Sequence, residues 1–251
     1  MLARARVFEP RLNAEVLLAL AMKCERVYFY AHPEQELREV EWIHYGRYLD
    51  ERIKGKPTQY ITKRQEFYGR DFRVTPDVLI PRPETELLVE AVLRLRPKRG
   101  RAIDVGTGSG AIAVTLGAIG CDLSWEALQV ARGNGASPLV CCDLLSCFGD
   151  EVFDVVASNP PYVPLTAWPS LQREVRDHEP HLALFAGNDG LAIYRRLIPE
   201  ARRVLRPEGL LAMELGIGQH EALGEMVHDW HKVDFLNDLQ GIPRVLICEK
   251  P

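Results

Sequence analysis

The feature that most constrains this 251-residue chain is an apolar run that stops dead. Val152-Phe153-Asp154-Val155-Val156-Ala157 reads as a buried strand. It leads straight into Asn159-Pro160-Pro161-Tyr162, and neither proline can donate to a sheet ladder. Asn159 precedes a proline, which biases its backbone toward the extended region. The strand therefore ends in a stiff, non-helical tip carrying one amide and one aromatic ring. In open α/β sheets, ligands bind beyond the carboxyl ends of strands.

The tip has a definite chemistry. The Asn159 side-chain oxygen is an acceptor, and the Pro160 carbonyl is left over where the ladder stops. Two adjacent acceptors match a planar NH2 group, and Tyr162 offers it a flat face. The plainer alternative is a proline-stopped loop with Asn in a turn.

A second interruption lies upstream. Arg101-Ala102-Ile103-Asp104-Val105 reads as a buried strand running into Gly106-Thr107-Gly108-Ser109-Gly110-Ala111. Glycines here let backbone approach a ligand at a strand-to-helix turn. The pattern also fits a dinucleotide fingerprint, but by itself that match is weak, and the P-loop Lys-Ser/Thr is absent. The next two strands each end in an acid, at Asp122 and at Asp143-Leu144. Asp122 is placed to accept ribose hydroxyls and Asp143 an adenine amino proton. A lone Asp is more often a turn or cap, but two successive ones after a glycine turn weaken that reading. The stretch Ile80-Pro81-Arg82-Pro83-Glu84-Thr85-Glu86 is held rigid by its prolines, so Arg82 and Glu84 either are solvated or line the site.

Other segments set the frame. Residues 12–53 read as helices, with Leu12, Val16, Leu17 and Leu20 on one inward face and Leu37, Val40, Ile43 and Leu49 on another. Residues 66–74 read as a hairpin, and strands alternate with helices thereafter. This predicts an α/β fold with a doubly wound, largely parallel sheet. The connections near Ala118–Ile119 and Gly135–Ala136 look too short for parallel crossovers, which predicts residues missing there by disorder or deletion.

The net charge of −4 offers no general basic field for nucleic acid. No apolar run is long enough to span a bilayer. The six cysteines form no CxxC pair and no zinc spacing, so the expectation is no metal and a reducing, cytoplasmic setting. That setting also disfavours a Cys142–Cys147 redox pair. His178 and His181 read as surface histidines, since no third ligand is evident.

Taken in order, the IPRPETE stretch, Asp104-Val105-Gly106-Thr107-Gly108-Ser109-Gly110, and Asn159-Pro160-Pro161-Tyr162 resemble the HemK/PrmC family. These are protein-glutamine N5-methyltransferases that modify peptide chain release factors. Gly190-Leu191, Glu214-Leu215-Gly216, Asp238-Leu239, Gly241 and Arg244 extend the resemblance across nearly the whole chain. It implies a helical substrate-recognition domain at 1–62, a hairpin linker at 63–78, and a seven-stranded, Rossmann-like class I methyltransferase domain at 79–251. It implies S-adenosyl-L-methionine as methyl donor and S-adenosyl-L-homocysteine as product. Gly106, Thr107, Gly108, Gly110, Asp122, Asp143, Leu144 and Asn159 would hold the cofactor. Asn159, Pro160 and Tyr162 would be catalytic, and these with Pro161, Arg82 and Glu84 would meet the glutamine of a Gly-Gly-Gln loop. A cytoplasmic monomer without stable nucleic-acid binding is expected. The alternatives are a DNA or RNA amino-methyltransferase using the same Asn-Pro-Pro-Tyr clamp, a nicotinamide oxidoreductase, and a non-catalytic binding protein that keeps the fold.

Overall fold

The computed structural model describes residues 1–5, 7–98 and 100–251. Its contacts separate two units: residues 1–64 with 171–178, and residues 65–170 with 179–251.

The first unit is helical. Helices α1 (Pro10–Met22), α2 (Tyr28–Ala31), α3 (Glu39–Ile53) and α4 (Thr58–Thr62) are joined by α8 (Arg173–His178), which returns from far along the chain. Pro10 occupies the first helical turn, where a missing N–H is harmless. Leu17, Ala21, Tyr60 and Ile61 are buried. A polar network ties the helices together. The buried Arg52 donates to Glu174 of α8 at 2.6 Å and to Asn13 of α1 at 3.1 Å, and Thr58 also donates to Asn13. The apolar face expected of α3 is not the face it buries. Val40 and Ile43 point outward, each 63% exposed, and the residues α3 buries are Glu41 and Arg52. Glu41 turns inward because its carboxylate accepts the Arg38 N–H at 2.8 Å and caps the helix start.

The second unit begins with the hairpin strands β1 (Arg64–Phe67) and β2 (Arg70–Arg73), then α5 (Glu84–Leu95). The main elements follow as β3 (Ala102–Val105), α6 (Ala111–Leu116), β4 (Ile119–Asp122), α7 (Trp125–Gly133), β5 (Leu139–Cys141) and β6 (Phe153–Ser158). The chain closes with α9 (Ala192–Val204), β7 (Leu205–Glu214), α10 (His220–Met226), β8 (His231–Asn237) and β9 (Pro243–Glu249). The seven-stranded sheet has the order β5-β4-β3-β6-β7-β9-β8, parallel as far as β7 and antiparallel at β9 and β8. Both faces of its central strands are covered, which explains their unbroken apolar runs. Val156, Leu211, Met213 and Leu246 pack on one side with Tyr194 and Leu197 of α9. Val155, Leu210, Ala212 and Val245 pack on the other with Leu88 and Val92 of α5.

The chain reverses direction across the sheet between β3 and β6, the two central neighbours. Val105 stands opposite both Cys121 and Ser158 in register, and Asp122 opposite Cys141. Four strands therefore stop at one level.

The two abrupt crossovers are closed by tight turns. α6 has only six residues and ends on Gly117 at φ 63°, with the Ala118 N–H closing on the Ala113 carbonyl at 2.8 Å. After α7, Gly135 at φ 92° turns the chain, and the Asn134 amide donates to the carbonyls of Arg73 and Ser109.

Gly110 shows how tightly this region is closed. It sits at φ 81°, and a Cβ there would lie 3.1 Å from the Cβ atoms of Ala131 and Ala136. Left-handed strain and overpacking should each contribute, so Gly110→Ala is expected to lower stability by about 2–4 kcal/mol in urea unfolding. A loss under about 0.5 kcal/mol, the ordinary scatter of surface changes, would contradict this packing.

Candidate active site

A cavity of about 280 Å³ opens at the carboxyl ends of β3, β4, β5 and β6, lined entirely by the second unit. The glycine turn forms its floor. Asp104, fully buried at the end of β3, holds that turn from beneath: its Oδ2 accepts from Thr107 Oγ1 at 2.7 Å and from the Ala113 N–H at 3.1 Å. Its Oδ1 has no hydrogen-bond partner. Burial pushes the Asp104 carboxyl up to about 7, against the lowering effect of its two donors.

Asp122 lies across the turn. Its Oδ2 accepts the Gly108 N–H and its Oδ1 the Ser124 N–H, each at 2.9 Å. Ser124 in turn caps α7 through the Ala127 N–H. Asp122 is thus both a turn-holder and a cavity wall. Each carboxylate oxygen has two lone pairs, so one on each remains for a further hydroxyl. Burial raises its pKa, opposed by these backbone donors. Asp143 also lines the cavity, but Arg196 of α9 donates to its Oδ2 at 2.7 Å. Leu144 adds an apolar wall at φ 50°.

The proline-stopped tip completes the site. Asn159 and Pro161 line the cavity. Asn159 Nδ2 donates to Thr85 Oγ1 at 3.0 Å, and Thr85 Oγ1 donates to Glu214 Oε2 at 2.6 Å. Tyr162 reaches Glu214 from the other side, its hydroxyl donating to Oε1 at 3.2 Å. Burial, then the nearby Glu214 charge, raises the Tyr162 pKa. Pro160 is buried. Gln219 donates to the Tyr162 carbonyl at 3.0 Å, and Gly190 lies so close that any Cβ there would collide with that carbonyl.

Arg82 and Glu84 lie apart from the cavity lining. Arg82 Nη2 donates to the buried Glu179 at 2.5 Å, beside Pro180 of the cavity wall. Glu84 is exposed in the first turn of α5. Sequence reasoning passed over Thr85, Glu214 and Arg196 as site residues. Glu214 did leave a signal, since it is an acid closing an apolar strand just as Asp122 does. Arg196 left none, because only the fold brings it 53 residues back to Asp143.

Comparison with known proteins agrees with this geometry. The PrmC N-terminal domain family matches residues 1–62. A release factor glutamine methyltransferase of Koribacter versatilis is 45% identical over 257 residues, covering 96% of this chain and 92% of that protein. The chain belongs to the release factor glutamine methyltransferases. A second member, from Moorella thermoacetica, is 43% identical over 266 residues, covering 98% of this chain and 94% of its own length. That alignment is longer than the chain itself, so the relative carries residues absent here. Among solved structures, the E. cuniculi Mtq2-Trm112 complex, responsible for methylation of the eRF1 termination factor, aligns at TM-score 0.53 and 25% identity, covering 70% of this chain and 99% of that one.

The methyl donor of such an enzyme, S-adenosyl-L-methionine, fits the residues present. A Cβ built at Gly106 meets nothing within 4 Å, so the turn faces open space. Asp122 retains acceptor capacity for two ribose hydroxyls, and Leu123, Ala127 and Leu144 offer an apolar slot beside it.

Asp104 gives a pH-dependent expectation. Its folded-state carboxyl binds a proton more tightly than the unfolded one, so between about pH 4 and 7 the folded protein holds more protons. Its contribution to stability therefore falls as pH rises through that window and levels off above about 7. Asp104→Asn has no carboxyl to titrate there. Relative to the variant, the wild type should lose on the order of 3–4 kcal/mol between pH 4 and 8, measured by urea unfolding. Parallel pH profiles for the two proteins would contradict it.

Proposed function

We propose that this protein transfers a methyl group to the side-chain amide nitrogen, N5, of the glutamine in the Gly-Gly-Gln loop of a peptide chain release factor. The observation that carries this reading is the orientation of Asn159. Its NH2 is engaged by Thr85, so its oxygen is the atom left for the cavity. With the Pro160 carbonyl it forms a pair of acceptors for the two N–H groups of a primary amide.

Bound S-adenosyl-L-methionine supplies an electrophilic methyl on a positively charged sulfur and leaves as S-adenosyl-L-homocysteine. Gly106, Thr107 and Gly108 would shape the floor under it, with Gly110 closing the turn against Ala131 and Ala136; Asp122 would take the ribose, and Asp143 and Leu144 would border the adenine. An amide nitrogen is a poor nucleophile because its lone pair is delocalised into the carbonyl. Asn159 and Pro160 hold the nitrogen in line and stabilise the positive charge that grows on its hydrogens as the N–C bond forms. Orientation of this kind is worth roughly 7–11 kcal/mol in favourable cases. The nitrogen then sheds one proton to water, leaving a neutral N5-methyl amide. No strong base is required, because a methylated amide is acidic before that loss.

Tyr162 lies outside the cavity lining and braces the tip through Glu214 and Gln219, while Pro161 keeps the tip rigid. Arg82 serves the substrate by fixing the wall segment through Glu179, and Glu84 remains as a charged contact at the head of α5. Residues 1–62 act as the recognition domain, 63–78 as the hairpin linker and 79–251 as the methyltransferase domain. The family match over 1–62 supports the first boundary. The enzyme works as a cytoplasmic monomer without stable nucleic-acid binding, and the −4 charge supports the last point. No helix among the described residues is long and apolar enough to cross a membrane.

The test is mass spectrometry of an unmethylated release factor after incubation with the protein and S-adenosyl-L-methionine. One added methyl on the Gly-Gly-Gln glutamine is expected. No methyl there, with methylation of RNA or DNA amino groups instead, would replace this reading with the nucleic-acid one. Asn159→Ala should lower turnover by about 10²–10³-fold while cofactor affinity, read by calorimetry, changes little. Equal losses in both would remove Asn159 from the amide clamp.

A further inference from the structure

The cavity leaves one question of polarity. A side-chain amide is nearly symmetric in shape, and flipping Asn159 by half a turn would present two donors to a substrate that itself offers donors. Such a flip would turn an attractive clamp into a repulsive one with almost no change in packing. The tip's own backbone does not forbid it, since rotation occurs about the side-chain torsion alone.

The structure resolves the choice through a chain of buried hydrogen bonds. Glu214 is the terminus of β7 and only 2% exposed. As a carboxylate it can only accept. Thr85, 4% exposed, has a single hydroxyl proton and gives it to Glu214 Oε2 at 2.6 Å. Its oxygen is then free to act only as an acceptor toward Asn159, at 3.0 Å. Asn159 must therefore turn its NH2 to Thr85 and its oxygen to the cavity. Tyr162, donating to the other Glu214 oxygen at 3.2 Å, holds the carboxylate in plane from the opposite side. We infer that Glu214 and Thr85 are positioning residues that set the polarity of the Asn159 amide, and so decide that the site accepts a primary amide. This rests on the reading of Asn159 as the amide clamp.

The burial of an acid here would be hard to explain otherwise. Desolvation pushes Glu214 up to about 7, relieved by Thr85, Tyr162 and the more distant Arg244, and worsened by Glu84. Tyr194 faces the same residue, donating to its backbone carbonyl at 2.8 Å. A neutral Glu214 becomes a donor, and the directional chain loses its fixed end. Turnover should consequently decline on the acid side of about pH 7.

The experiment compares five variants, each assayed with unmethylated release factor and S-adenosyl-L-methionine, with calorimetric cofactor binding as the check of folding. Thr85→Val keeps shape without the hydroxyl and should lower kcat by roughly 10- to 100-fold, with cofactor affinity within about twofold. Thr85→Ser restores the hydroxyl and should recover most of kcat. Glu214→Gln, whose amide can donate to Thr85, should lower kcat similarly and lose the acid limb of the pH–rate profile. In an Asn159→Ala background, Thr85→Val should cause no further loss, because the amide it orients is gone. Full kcat in Thr85→Val, or fully additive losses in the double variant, would overturn the inference. Should Thr85→Val fail to bind cofactor, Glu214→Gln decides alone: wild-type kcat with the acid limb intact overturns it. A wild-type rate in Asn159→Ala would instead overturn the clamp itself, so the two failures are separable.

Discussion

The register between the two central strands governs everything at the site. Val105 of β3 lies opposite Ser158 of β6, and the Ser158 hydroxyl donates to the Val105 carbonyl at 2.7 Å in the buried sheet. The strands therefore end together, and the turns beyond their ends face the same space. One end turns by glycine and the other by proline, for opposite reasons. Gly106, at φ 72°, brings backbone close beneath a bulky ligand. Pro160 and Pro161 deny the backbone freedom, so that one amide and one ring are presented without entropy of their own to lose. A one-residue slip in this pairing would send Asn159 to the other face of the sheet.

Around that edge the fold buries acids. Asp104, Glu179 and Glu214 are all under 5% exposed, and Asp122 is half-buried. An isolated buried carboxylate is costly, so each must be met by donors. Asp104 is met by a threonine and a backbone N–H, Glu179 by Arg82, and Glu214 by a threonine and a tyrosine. In every case the donor belongs to, or touches, a segment that shapes the cavity. The acids act as fixed acceptors that orient loops which no sheet ladder reaches. Their raised pKa values at Asp104 and Glu214 are the counterpart of that role, since burial that lends direction also penalises charge.

Much of this was legible in the sequence because strand ends leave punctuation. The proline pair, the glycine turn and the acids at Asp122 and Asp143 could each be placed from local pattern, and the largely parallel sheet could be read from the alternation of strands and helices. The helical unit was less legible. Val40 and Ile43 have helical spacing, yet α3 turns them outward because Arg52 and Glu41 have specific polar partners inside. Periodicity locates a helix but cannot say which face a buried ion pair will claim. Thr85 and Arg196 were invisible for another reason: each acts on a residue more than fifty positions away, and only the sheet order brings them there.

The two short crossovers illustrate where such a fold tolerates change. In a parallel sheet, strand-to-helix turns lie at the carboxyl edge and helix-to-strand turns at the opposite edge. All four cavity-forming connections, after β3, β4, β5 and β6, are of the first kind. Both abrupt connections, at Gly117–Ala118 and at 134–138, are of the second. They shorten α6 to six residues, yet Ile103 still pairs with Ile119 and Cys121 with Val140. Ends of strands at the carboxyl edge are fixed by register, and register survives as long as each helix spans the sheet face before its strand begins. Shortening the far edge therefore leaves Asp122, Asp143 and Asn159 at one level. Loop length and site geometry are thus carried by opposite edges of the same sheet.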